Sequence, residues 1–264
     1  MDLTFETLIV ETPEPGVLLV TMNRPERLNA MNTAMMTDLR ELFSGLYIDP
    51  GAANCLVLTG AGARGFCSGA DLKERDGMSD AAWRRQHAVV EQMIRDLHAC
   101  PIPVIAAVNG VAMGGGLEIA LACDFIYAAE HARFALPEVT RGIMPGAAGP
   151  QNLPRATGVR RAKEIVLTGA PFTAAEALEW GIANRLCKPE ALLGEALATA
   201  RVIAANAPIG VRAAKQALDK ATDLDRASGY DFELAAYNLT VPTEDRKEGV
   251  RAFNEKRTPV FRGR

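Results

Sequence analysis

Two short runs in this chain, Cys55-Leu56-Val57-Leu58-Thr59 and Pro103-Val104-Ile105-Ala106-Ala107-Val108, are apolar at nearly every position. A strand with one wet face alternates polar and apolar residues, so a run without alternation suits a strand covered on both faces. Between the two runs lies a helical pattern from about Ser79 to Ala99 that carries Trp83, Val90, Met93, Ile94 and Leu97 at helical spacing and ends before Pro101. Buried strands separated by helices limit the chain to an α/β core. Val17–Met22 reads as a further strand, ended by Asn23-Arg24-Pro25. Asn32 suits the N-cap of a helix with Met35, Met36, Leu39 and Leu42 on one face.

The texture changes late in the chain. Thr173-Ala174-Ala175-Glu176 has capping-box spacing, with Phe172 as the outer residue of a hydrophobic staple and Gly181 closing the short helix. From about Pro189 the pattern is almost wholly helical, and Thr243 with Glu244 and Asp245 opens the last helix. The expected organisation is an α/β core with the active site over residues 1–190 and a helical region over 191–264.

Bulk properties narrow the partners. Of 264 residues, 48% are hydrophobic and 23% charged, and the formal net charge is −3. That balance gives no general attraction to nucleic acid or an anionic membrane. No segment reaches the ~20 apolar residues of a membrane span, and Met1–Glu6 has neither the basic start nor the apolar run of a signal peptide. Cysteines 55, 67, 100, 123 and 187 form no Cys-x-x-Cys pair and read as reduced, buried thiols, so a cytoplasmic setting is expected. Histidines 87, 98 and 131 have no ligand spacing, and no metal is expected.

The chemistry concentrates in three segments. Gly114-Gly115-Gly116 follows a strand and precedes a good helix, so N–H groups of that helix's first turn point outward at its positive end. A tight strand–helix turn without any ligand would look the same. Glu118 falls in that first turn, where a surface carboxylate is also common. Glu138 follows Pro137, where a strand end or a cap is the plainer role. Phe66-Cys67-Ser68-Gly69-Ala70-Asp71-Leu72-Lys73 offers a second backbone donor at Ala70, or only a turn into a helix with Asp71 as a structural residue. Lys73 and Arg75 face a phosphate or are solvated helix charges. Cys67 has no histidine placed with it and is a poor nucleophile. Together, two carboxylates and two glycine-bearing backbone segments fit acid–base chemistry beside a developing oxyanion.

At these residues the whole chain resembles the enoyl-CoA hydratase (crotonase) superfamily. The markers are Asn23-Arg24-Pro25, Gly69-Ala70-Asp71-Leu72-Lys73, the run from Asn109 to Asp124, Pro137-Glu138, and Ala252-Phe253-Asn254-Glu255-Lys256-Arg257. Lys73-Glu74-Arg75 and Pro242-Thr243-Glu244-Asp245-Arg246 are similar to the methylglutaconyl-CoA hydratase branch. The resemblance implies a crotonase-like spiral of β-β-α repeats and a C-terminal all-helical region that builds trimers or pairs of trimers. It also implies an acyl-CoA thioester substrate, with coenzyme A as part of that substrate and no separate cofactor. Glu118 and Glu138 match the two glutamates of true hydratases, and the N–H groups of Ala70 and Gly115 match the oxyanion hole. Ala70, Asp71, Leu72, Lys73, Gly115, Gly146, Phe253 and Lys256 fall along the CoA thioester, the last two reaching a neighbour's ligand.

One loop departs from the family. Gly146-Ala147-Ala148-Gly149-Pro150-Gln151 stands where Gly-Gly-Gly-Thr-Gln is common, so Ala148 is expected to add a methyl group near the acyl pocket and Pro150 to remove an N–H donor. Three other functions stay open. An enoyl-CoA isomerase needs one carboxylate rather than two. An RNA-binding protein needs a basic surface, whereas the early helix carries Asp38, Arg40 and Glu41. A catalytically silent acyl-CoA-binding subunit would not need both glutamates.

Overall fold

The computed structural model describes residues 4–264. The reading of Met1–Leu3 as part of no signal peptide lies outside the described residues. The chain opens with β1 (Leu8–Glu14), β2 (Val17–Met22), α1 (Thr33–Ile48), β3 (Cys55–Gly60), β4 (Gly65–Cys67), α2 (Leu72–Arg75) and α3 (Asp80–His98). It continues with β5 (Val104–Val108), β6 (Val111–Met113), α4 (Gly115–Ala122), β7 (Phe125–Ala129) and β8 (Arg133–Ala135). Then come α5 (Gly149–Thr157), α6 (Val159–Thr168), β9 (Phe172–Thr173), α7 (Ala174–Glu179), β10 (Arg185–Cys187) and α8 (Leu192–Ala204). Three further helices close the chain: α9 (Pro208–Lys220), α10 (Arg226–Thr240) and α11 (Glu244–Glu255).

The strands form two sheets, in the orders β1-β2-β3-β5-β7-β10 and β4-β6-β8-β9. Successive strands alternate between them: β3, β5 and β7 enter the first sheet, and β4, β6 and β8 enter the second. Neighbours from β2 through β10 in the first sheet, and β4-β6-β8 in the second, pair in parallel. Each β-β-α unit therefore advances both sheets by one strand, which is the crotonase-like spiral.

The apolar runs are explained by what covers them. Val57, Ile105, Ala107, Tyr127 and Ala129 face one side of the first sheet and meet Leu192, Ala196 and Ala200 of α8. The alternate residues, Leu56, Leu58, Val104, Ala106 and Ile126, face the larger core with α1, α3 and α4. Both faces are dry, so alternation has no place. The expected division at residue 190 thus falls ahead of a helix that packs on the sheet; the helices beyond that cover are α9 to α11. Caps appear where the residue types place them. Asn32 accepts from Met35 N–H at 3.0 Å, Ser79 caps α3, Thr173 and Glu176 form the capping box, and Thr243 caps α11. All five cysteines are buried and unpaired.

Candidate active site

Residues of α4 stand at the centre of the site. Gly114 takes φ +53°, a conformation that suits glycine, and turns the chain from β6 into α4. As the first residue of α4, Gly115 has no intrahelical acceptor for its N–H. One turn on, Glu118 does not sit on the surface: it is 2% exposed. Its Oε1 accepts N–H bonds from Ala147 at 2.7 Å, in the loop that leads into α5, and from Gly149 at 2.9 Å, the first residue of that helix.

The second donor segment is clamped from behind. Met31 N–H donates to Gly69 O at 2.8 Å, and Asp71 N–H donates to Met31 O at 2.9 Å. In a parallel bridge of this kind the residue between those two partners turns its own N–H away from the bridge, and Ala70 borders the cavity. Arg24 fixes the loop further, donating to Asp71 Oδ2 at 3.1 Å and to Ala30 O at 2.5 Å. Asp71 also caps α2 through Lys73 N–H. Its side chain is structural, and the Asn-Arg-Pro marker acquires a reason.

The two donor segments touch. A Cβ added at Gly69, where φ is +93°, would lie 2.8 Å from Met113 O and 3.4 Å from Gly115 N. Glycine is required there by conformation and by space. Glu138 completes the set: it opens a 3-10 turn, Glu138–Arg141, behind Pro137. A Cβ added at Gly114 would lie 2.8 Å from its Oε1. Its Oε2 is buried and meets no hydrogen-bond partner among the described residues.

The electrostatics follow from this burial. Desolvation pushes Glu118 up to about 7, against the Gly149 and Ala147 donors that favour its anion; the nearby Glu138 charge adds to the rise. Burial likewise raises Glu138, opposed by its own backbone N–H and by Arg141. Burial pushes the Cys67 thiol up to about 12, which suits a packing role.

Ala70, Gly115, Glu118 and Glu138 border one cavity of about 1020 Å³, with Leu72 and Gly146 also on its wall. Lys73, Phe253 and Lys256 lie outside that lining, and Phe253 is 84% exposed. Ala148 does not add its methyl group to this cavity. It takes φ +69° as the N-cap of α5 and lines a separate cavity behind the loop. Pro150 sits in the first turn of α5, where a missing N–H leaves no intrahelical bond unmade. Arg75 does not face solvent phosphate: it is 9% exposed, stacks on Trp83 at 4.4 Å and donates to Gln86 Oε1 at 2.7 Å. The backbone donors Ala147 and Gly149 and the wall residues Trp83 and His87 had no sequence signal for a place in the site, since each acts only through contacts made in the fold; the clamp Arg24 stood out only as part of the Asn-Arg-Pro marker.

Among the described residues no helix is long and apolar enough to cross a membrane, and no group of three or more His, Cys, Asp or Glu side chains is placed to hold a metal.

Known proteins resemble this chain over nearly its whole length. The family model described as enoyl-CoA hydratase/isomerase matches residues 12–264. The 2,3-dehydroadipyl-CoA hydratase of Escherichia coli is 40% identical over 97% of this chain and 99% of that one. The human enoyl-CoA hydratase domain-containing protein 2, mitochondrial, is 42% identical over 96% of this chain and 87% of that one. A crystal structure of an enoyl-CoA hydratase from Bacillus anthracis superposes with a TM-score of 0.96 at 40% identity, covering 98% of this chain and 100% of that chain. The extent of these matches, on a chain whose paired carboxylates and backbone donors share one cavity, leads to one conclusion: the protein belongs to the enoyl-CoA hydratase/isomerase family.

Proposed function

We propose that the protein is a hydratase that adds water across the C2–C3 double bond of a 2-enoyl-CoA thioester, with no separate cofactor. The observation that carries this reading is the buried carboxylate of Glu118 and the half-buried one of Glu138, on one cavity with the free N–H groups of Ala70 and Gly115. The thioester oxygen accepts from both N–H groups. This polarises the conjugated system, makes C3 electrophilic and stabilises the enolate-like charge that reaches oxygen. One such donor typically lowers the barrier by ~3–4 kcal/mol.

Glu118, ionised, takes a proton from water as its oxygen bonds to C3. Glu138, protonated, delivers a proton to C2, and the π bond is consumed. The pair needs one proton in total. Its two singly protonated arrangements interconvert, and the reactive one has the anion on Glu118, where Ala147 and Gly149 donate, and the proton on Glu138, whose Oε2 has no partner. Substrate also seals the cavity and replaces water around both carboxyls.

The helices α9 to α11 carry exposed apolar residues, among them Leu218, Tyr237, Leu239 and Phe253. This surface supports a homotrimer or a pair of trimers, in which Lys256 and Phe253 reach the CoA of an adjacent subunit. Lys73 acts at the mouth of the CoA-binding loop. The setting is cytoplasmic, and nucleic acid is not a partner.

The test is a panel of short, long, branched and aromatic 2-enoyl-CoA thioesters, with hydration followed as loss of the conjugated absorbance. Turnover of at least one class, abolished in Glu118→Gln, supports the reading. Double-bond migration without hydration would replace it with an isomerase.

A further inference from the structure

The helices that close the chain are joined to the rest of it at few points. Among the described residues, neither hydrophobic core includes a residue of α9, α10 or α11. Their buried residues are Ala213, Ala236, Asp245 and Ala252. The hydrogen bonds that tie residues 208–264 to the chain ahead of residue 205 are made by two side chains, Lys215 of α9 and Asp223 in the turn after it.

Both ties end on elements that hold Glu118. Lys215 Nζ donates to Asp124 Oδ2 at 2.6 Å and to Ile102 O at 3.4 Å. Asp124 stands just past the C-cap of α4, the helix that carries Glu118. Its Oδ2 also accepts from Val104 N–H at 2.7 Å, and its own N–H donates to Val104 O at 2.9 Å. Arg155 of α5 donates to Asp223 Oδ1 at 3.0 Å. The first residue of α5 is Gly149, which donates to Glu118. Exposure ranks the two ties. The Arg155 and Asp223 side chains are 43% and 46% exposed, and a pair so open to solvent contributes little. Those of Lys215 and Asp124 are 9% and 19% exposed. Parting that pair strands a charge away from water, so it holds its geometry.

A second cavity, of about 920 Å³, is lined by Asp124, Lys215 and Asp223 and by Gly146, Ala147 and Ala148. The loop that donates to Glu118 therefore has open space on its far side. The helix α4 is eight residues long, about 12 Å, so whatever fixes its far end fixes where Glu118 meets that loop. We propose that Lys215 is a positioning residue for Glu118: by clamping Asp124 it sets the far end of α4, and with it the alignment of the Glu118 carboxylate on the Ala147 and Gly149 N–H groups. The link is one of position rather than of field. The charge that acts on the Glu118 carboxyl is that of Glu138. The ionisable groups that share its cavity are Arg75, His87, Glu138 and Arg141, whereas Lys215 lines the other one. The effect on turnover rests on the hydration reading above; the clamp itself does not.

The experiment removes the pair without stranding a charge. The double variant Asp124→Asn/Lys215→Met keeps an oxygen for Val104 N–H and an unbranched side chain on α9, so the fold is retained. With crotonyl-CoA its kcat is expected to fall about tenfold with little change in KM, since an ångström of misplacement costs up to ~10²-fold. Lys215→Arg, which keeps the pair, should retain most of the rate. Gly149→Ala then shows whether the loss runs through the Glu118 donors. If it does, Gly149→Ala costs less in the double variant than in wild type, because the donors are already out of line. Losses that multiply, as for a merely structural Lys215, overturn the proposal, and so does a folded double variant with wild-type kcat. The same link is read without turnover near pH ~8, above the value of about 7 to which burial raises Glu118. There Glu118→Gln should raise the melting temperature more in the double variant than in wild type, because an anion out of line with its donors is the less stable one. If wild type hydrates no enoyl thioester and this difference appears, the hydration reading falls and the clamp stands. An equal gain in the two backgrounds overturns the clamp.

Discussion

Gly149→Ala is the sharpest probe of how Glu118 is held. The added Cβ falls 2.8 Å from Glu118 Oε1, 3.0 Å from its Cγ and 3.2 Å from its Cδ, whereas ordinary contact begins near 3.4 Å. The obstacle is the end of a side chain, not backbone, so the carboxylate moves and the fold survives. That movement breaks the bonds from Ala147 and Gly149, the two N–H groups that stabilise its anion. A hydrogen bond to a charged group contributes about 1.5–3 kcal/mol, so loss of one in the transition state lowers kcat by roughly 10- to 150-fold.

The same loss moves a titration. Burial pushes Glu118 up to about 7 against its two donors. Without those donors the anion is less stable and the pKa rises, so the acid limb of the kcat/KM profile, where activity rises as Glu118 ionises, moves to higher pH. Turnover of crotonyl-CoA across a pH series, with circular dichroism as the check on folding, measures both effects. A folded Gly149→Ala enzyme with wild-type kcat and an unmoved limb would refute the assignment of these donors to Glu118.

Other outcomes follow from the same geometry. Glu118→Gln and Glu138→Gln should each fold and each lose about 10²–10⁴-fold in kcat with crotonyl-CoA; near-normal turnover in either removes that residue from the mechanism. Glu118→Gln should also be the more stable protein at neutral pH. A carboxyl raised from 4.5 to about 7 holds more proton folded than unfolded in that window, so wild-type stability falls as pH rises through it. The difference, on the order of 2–3 kcal/mol at neutral pH, should vanish toward pH ~4 in thermal melts. Gly69→Ala places a methyl 2.8 Å from Met113 O at φ +93°, so it should fold poorly or lose the Ala70 donor. Detectable folding with unchanged kcat would show that the donor is not needed. Lys256→Ala should raise KM for crotonyl-CoA while sparing crotonyl-pantetheine, and an unchanged preference would show that the tail reaches no CoA.

What could be read from the sequence was whatever is local in the chain. The glycine run, the caps of α1, α3, α7 and α11, and the apolar strands depend on residues a few positions apart. Glu118 and Glu138 were visible as a pair because glycine and proline flank them. The exposed alternative for Glu118 failed for a long-range reason: a loop some thirty residues later closes over it. Ala148 and Pro150 looked like changes to the substrate pocket because their number in the loop was known and their direction was not. The αL turn at Ala148 sends its methyl to the other side. Asn23-Arg24-Pro25 stood as a motif without a visible purpose. In the fold Arg24 holds Asp71, and Asn29 Nδ2 ties the turn to Ala61 O at 3.0 Å and Gly65 O at 2.8 Å.

Gly115 and Glu118 are three residues apart on one short, buried helix. In the proposed mechanism the group that receives negative charge on oxygen and the group that delivers water to carbon therefore move as a single rigid body. Breathing of the surrounding protein can tilt that body, but the span between the two points of attack on the substrate stays constant. Ala70 and Glu138 hang from separate segments with no such linkage. Thermal motion, a distorting substitution or a redesigned substrate would thus change where the proton goes before it changes where water adds. Any drift toward another reaction starts at the Glu138 turn.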